Sequence, residues 1–136
     1  METRVMEKIY LGIANALVDI IPEKWFKLYL YAEVREGYKK VFYYYYPAPG
    51  EKPIYSNDLS EIFGISETEF DQQERPLYKY FSELQEEHKL QNQVPWTNLT
   101  LILESNGNMK INYDYKDISK TSPVEKQEYW EAEYLR

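Results

Sequence analysis

Trp96-Thr97-Asn98-Leu99-Thr100-Leu101-Ile102-Leu103-Glu104-Ser105-Asn106-Gly107-Asn108-Met109-Lys110-Ile111-Asn112-Tyr113-Asp114-Tyr115 is the stretch that decides the fold. Leu99, Leu101 and Leu103 alternate with Thr100, Ile102 and Glu104. Met109, Ile111, Tyr113 and Tyr115 alternate with Lys110, Asn112 and Asp114. Period-2 alternation on both sides of an Asn-Gly pair predicts a β-hairpin, with one apolar row against a core and one row toward water. Asn106-Gly107 tolerates the positive φ angles of a type I′ turn, whose twist matches that of the flanking strands. Any antiparallel sheet with one wet face carries such a pattern, so by itself the hairpin predicts a soluble α+β domain and no particular function.

The chain on either side supplies a second hairpin and three helices. Met6, Ile9, Tyr10, Ile13, Leu17 and Ile20 recur at helical spacing, which predicts a helix over 2–21 that Pro22 stops. Phe26, Leu28, Leu30, Ala32 and Val34 alternate with Lys27, Tyr29, Tyr31, Glu33 and Arg35 in a first strand. Gly37 breaks it, and a second strand follows over about 39–46. The run Tyr43-Tyr44-Tyr45-Tyr46 places two rings on each face of that strand, one pair under a helix and the other toward solvent or a partner. The proline-rich stretch 47–53 reads as a loop, Ile54-Tyr55 as a brief edge strand, and 59–65 as a turn or a single helical turn.

Ser66-Glu67-Thr68-Glu69 fits a capping box opening a helix to about Leu90, with Phe70, Leu77, Phe81, Leu84 and His88 inward. Pro76 lies deep inside it and predicts a kink or restart near Glu74-Arg75. Ser122-Pro123-Val124-Glu125 starts a last helix carrying Tyr129, Trp130, Tyr134 and Leu135. The expected order is α-ββ-α-ββ-α: an α+β fold with a mostly antiparallel four-stranded sheet, three helices on one face, and residues 1–136 as one domain.

Composition narrows the function. The 136 residues carry a net charge of −7, of which 67–90 holds −4 and 114–136 holds −2. Binding a nucleic-acid backbone requires Lys and Arg to displace condensed counterions, so this balance argues against direct nucleic-acid binding and suits a basic partner. Fifteen tyrosines favour half-buried strand positions and protein interfaces. An RNA platform of stacked aromatics would also carry a basic Arg/Lys-Gly-aromatic signature, which is missing. The chain has no cysteine, which is compatible with the cytoplasm. No apolar run approaches the ~20 residues of a membrane span, and the sequence predicts a soluble, unexported protein.

Catalytic groups are scarce. His88 is the only histidine, and a metal-binding Glu-x-x-His would need a carboxylate where Gln85 stands. There is no glycine-rich phosphate loop and no nucleophile elbow. Glu104, Asp114 and Asp117 form the one carboxylate set that a metal-dependent hydrolase would use, and they lack ordered ligand spacing. No catalytic residue, metal or cofactor is expected. The residues by themselves leave open a non-catalytic binding or scaffold protein and that hydrolase.

Four segments carry a family signature: Ile13-Ala14-Asn15-Ala16-Leu17-Val18-Asp19-Ile20-Ile21-Pro22-Glu23-Lys24-Trp25, Leu30-Tyr31-Ala32-Glu33-Val34, Pro95-Trp96-Thr97-Asn98-Leu99-Thr100-Leu101 and Ile111-Asn112-Tyr113-Asp114-Tyr115-Lys116-Asp117-Ile118-Ser119, with Gln127 and Trp130 beyond. In order and spacing they resemble the YezG-like immunity (antitoxin) family of Gram-positive bacteria. The resemblance spans nearly the whole chain, with Pro76 and the loop 47–53 as local departures. It implies a cytosolic antitoxin, not an enzyme, that binds and silences a cognate nuclease toxin of the type VII secretion system. Such a toxin is basic because it holds phosphates, which matches the acidic charge. The expected contact residues are the carboxylates Glu67, Glu69, Glu83, Glu86, Glu87, Asp114 and Asp117, with Tyr44, Tyr46 and Tyr115 as solvent-facing anchors. The oligomeric state is left open.

Overall fold

A computed structural model describes residues 3–135. Among them the chain forms α1 (Arg4–Ile20), β1 (Lys27–Arg35), β2 (Tyr38–Tyr46), β3 (Ile54–Tyr55), a 3-10 turn (Ser56–Asp58), α2 (Leu59–Phe63), α3 (Glu67–Leu90), β4 (Asn98–Glu104), β5 (Met109–Asp114) and α4 (Pro123–Tyr134). The α+β class and the two hairpins are as expected. The counts are not: the brief strand at 54–55 joins the sheet as a fifth member, and the single turn at 59–63 is a fourth helix. The start of the helix predicted from residue 2 lies outside the described residues.

The sheet order is β3-β2-β1-β4-β5, with β1 at the centre pairing antiparallel to both β2 and β4. Its first face buries Leu28, Leu30, Ala32 and Val34 of β1, Tyr43 and Tyr45 of β2, and Leu99, Leu101 and Leu103 of β4. Against them lie Ile9, Ile13 and Leu17 of α1 and Leu77, Phe81 and Leu84 of α3, so the helical stripes and the strand alternation meet in one core. Phe26 departs from the expected row. It precedes the strand and stays 41% exposed.

The β4–β5 connection differs from the two-residue type I′ turn. The Glu104 amide donates to the Asn108 carbonyl at 2.8 Å and the Gly107 amide to the Glu104 carbonyl at 2.9 Å, leaving a three-residue loop in which Gly107 has φ +97°. Only one residue needs the left-handed region, and glycine supplies it; Asn106 keeps negative φ and its side chain accepts from the Asn108 amide.

Pro76 does not restart α3, which runs unbroken for 24 residues. The proline sits on the exposed side, where the hydrogen bond it cannot donate is replaced by water at low cost, while Phe70, Leu77, Phe81 and Leu84 pack the helix down on both sides of it. Gln85 pins the far end: its Nε2 donates to the Val34 and Trp96 carbonyls at 2.7 and 2.6 Å.

The helices also do not share one face. α4 crosses the opposite side of the sheet, where Tyr31, Phe42, Tyr44 and Trp130 form a second apolar cluster. Trp130 meets the Phe42 ring edge-on at 5.2 Å between centroids, and its Nε1 donates to Thr100 Oγ1 at 2.9 Å. Beneath α4 lies Glu33, fully buried. It accepts from Lys126 Nζ at 2.9 Å, Arg35 Nε at 3.0 Å and the Tyr31 hydroxyl at 2.7 Å. Burial alone would raise the Glu33 pKa, but the three donors hold its carboxyl below the usual carboxylate range. The supposed wet face of β1 is therefore a second core with one buried, fully satisfied charge.

Candidate partner-binding surface

The expected contact residues fall into separate groups. Glu67 and Glu69 open α3, while Glu83, Glu86 and Glu87 stand near its other end. At 1.5 Å per residue the two sets are about 20–30 Å apart. Asp114 is the last residue of β5, and Asp117 follows in the turn beyond it. Asp114 Oδ1 accepts from the Tyr115 and Lys116 amides, at 2.7 and 3.2 Å, and Asp117 Oδ1 accepts from the Ser119 hydroxyl and amide. Both hydrogen bonds from Ser119 hold the exposed Asp117 carboxyl below its usual pKa. These two carboxylates shape the reversal that leads the chain from β5 toward α4.

Among the tyrosines, Tyr115 is exposed and Tyr46 half-buried. Tyr44 is a correction. It is buried beneath α4, stacked on Tyr55 at 4.8 Å and on Trp130 at 5.8 Å, and its hydroxyl bonds Glu131 and accepts from Gln127 Nε2 at 3.0 Å. A helix on the second face, invisible to the strand alternation, takes the ring that was expected to meet a partner.

The hydrolase set is not brought together. Asn98 pairs with Asp114 at one end of β4, and Glu104 occupies the other end, about 20 Å away at strand spacing. No three metal-ligating side chains converge among the described residues. His88 packs against the Tyr113 ring of β5 at 4.9 Å, and burial lowers its pKa.

Glu83, Glu86 and Glu87 share a surface without clustering tightly. They share one side of α3 at i, i+3 and i+4 spacing and rim an open hollow of about 390 Å³ between α1 and α3. Its apolar lining includes Val5, Ile9 and Leu90, of which Val5 is 50% and Leu90 71% exposed. Sequence reading marked the acids but not the exposed apolar side chains beside them, because Leu90 reads as the end of the helix and Val5 lies outside the apolar stripe.

Three ion pairs form among the described residues, and two of them use the same buried carboxylate, Glu33; the third, Glu86 with Lys89, is exposed and long at 4.0 Å. The surface acids are thus left largely without counter-ions of their own. No helix among the described residues is long and apolar enough to cross a membrane.

Comparison with known proteins identifies the family. The family model of the immunity protein YezG-like family matches residues 6–136. The chain is 39% identical to the immunity protein YezG of Bacillus spizizenii over 119 residues, covering 87% of this chain and 73% of that one. It is 36% identical to the immunity protein YezG of Bacillus subtilis over 132 residues, covering 96% and 87%. A further relative, the type VII secretion system protein EsaG of Staphylococcus aureus, is 30% identical over 127 residues, covering 92% and 78%. With the family model and three relatives agreeing over most of its length, the chain belongs to the YezG-like immunity protein family.

Proposed function

We propose that this chain is a non-catalytic immunity protein that works in the cytoplasm by binding a secreted nuclease toxin of its own producer cell and silencing it. The observation that carries this reading is the surface charge: exposed carboxylates at both ends of α3 and past β5, of which Glu86 alone is in an ion pair among the described residues. A nuclease holds phosphates with Lys and Arg, so an acidic protein with exposed apolar anchors complements it, the charges setting encounter rate and the anchors the residence time. The family supports an immunity role, and the kinship with a type VII secretion system protein supports a secreted toxin as the target. Co-expression with the nuclease domain of the toxin encoded beside this chain's gene tests it. The reading expects restored growth and a co-purifying complex. A toxin that still kills, with no complex recovered, overturns it.

A further inference from the structure

α1 and α3 cross where Gly12 faces Tyr80. A Cβ at position 12 would lie 2.6 Å from the ring Cζ, so the two helices approach as closely as that ring permits. The ring closes the furrow between the helices on one side and forms the end wall of the 390 Å³ hollow on the other. Val5 and Ile9 line it from α1 and Leu90 from the last turn of α3. Two features meet at this hollow. Large apolar side chains are exposed at its mouth, and three carboxylates stand on one rim, with Lys8 the one cation lining the hollow among the described residues and Lys89, 4.0 Å from Glu86, beside it.

We propose that this hollow is where the toxin docks, and that its occupant is a basic amphipathic helix of the toxin laid between α1 and α3. The inference rests on the immunity reading and names the surface for it. A furrow between two packed helices accepts a third at an interaxial distance of about 8–10 Å, the geometry by which helix-in-groove recognition works. One apolar side chain of the incoming helix seats on Val5, Ile9 and Leu90. Lys or Arg residues one turn away meet Glu83, Glu86 and Glu87, whose i, i+3, i+4 spacing gives one continuous negative edge. Glu67 and Glu69, 20–30 Å along α3, and Asp117, which shapes its own turn, then contribute only long-range field, screened beyond about 10 Å at 0.1 M salt.

The test uses the full chain and a catalytically inactive nuclease domain of the toxin encoded beside its gene, with association and dissociation rates measured at several salt concentrations. Two charge-reversal variants change the net charge equally: E83K/E86K/E87K and E67K/E69K/D117K. Thermal melts establish that both fold. The proposal expects the first to associate at least ten-fold more slowly with a flattened salt dependence, and the second to stay within about three-fold of wild type. Leu90→Asn, at an exposed position, is expected to dissociate at least five-fold faster at an unchanged association rate. Equal effects of the two triples, a larger effect of E67K/E69K/D117K, or wild-type dissociation by Leu90→Asn overturns the docking site while wild-type binding leaves the immunity reading standing. Absence of binding by the wild-type chain overturns the immunity reading itself.

Discussion

Glu74 offers a test of the core that no partner is needed to run. It lies on α3, is 8% exposed, and its Oε2 has no hydrogen-bond donor among the described residues. Burial, reinforced by the negative Asp71 and opposed by Lys40, pushes its carboxyl up from 4.5 to about 7. In the unfolded chain the group loses its proton near 4.5, whereas the folded protein keeps it to about 7. Between those values the unfolded state binds fewer protons, so stability falls as pH rises. The Glu74 contribution is fully present below pH ~4.5 and gone above pH ~7. At about 1.4 kcal/mol per unit, the penalty at pH 8 is about 3 kcal/mol, a large share of a typical 5–15 kcal/mol. Glu74→Gln keeps the shape and cannot ionise. Urea denaturation at pH 5, 6, 7 and 8 should therefore find the variant up to about 3 kcal/mol more stable than wild type at pH 8, with the gap closing toward pH 5. Other titrating groups, Glu33 and His88 included, are common to both proteins and drop out of the difference. A gap independent of pH, or a variant less stable at pH 8, refutes the reasoning.

The second face and the helix crossing give two further predictions. Lys126→Met leaves the buried Glu33 with Arg35 and Tyr31 alone, which should cost about 3 kcal/mol and loosen α4 first, read as faster amide hydrogen exchange over 123–134 than over α1 and α3. Gly12→Ala gains about 1 kcal/mol of helix propensity but must displace the Tyr80 ring, so it should be neutral or destabilising in the wild type and stabilising by about 1 kcal/mol in a Tyr80→Ala background. Additive effects in a urea-denaturation double-mutant cycle would show that the contact is not felt.

The parts legible in the sequence are those where local chemistry and tertiary packing agree. Leu99, Leu101 and Leu103 alternate because only one face of β4 meets α1 and α3, and all three are buried. Ser66 and Ser122 were readable as caps because a hydroxyl before an N3 carboxylate satisfies a helix-end amide. Each accepts from the amide three residues on, at 3.1 and 3.2 Å. The second core was not legible. Tyr31 and Glu33 occupy positions that alternation assigns to water, and Lys126, one of the two cations that make a buried Glu33 tolerable, lies 93 residues away. α4 has no clean apolar stripe: it docks through Trp130, with Tyr134 beside it and a few polar side chains, instead of a continuous hydrophobic face. Tyr44 was misplaced for the same reason. The candidate site was half visible: the family signature and the charge pointed to an acidic binder. Which acids share a surface is set by how α1 crosses α3 at Gly12 and Tyr80, a contact spanning 68 residues.

The central claim is that this chain silences a nuclease by binding it. The most direct measurement titrates the purified chain into the active nuclease domain of the toxin encoded beside its gene and follows DNA or RNA cleavage. The account predicts that cleavage falls to background at a fixed stoichiometric ratio of chain to toxin, and that E83K/E86K/E87K requires a large excess to do the same. Undiminished cleavage with the wild-type chain in excess would contradict it.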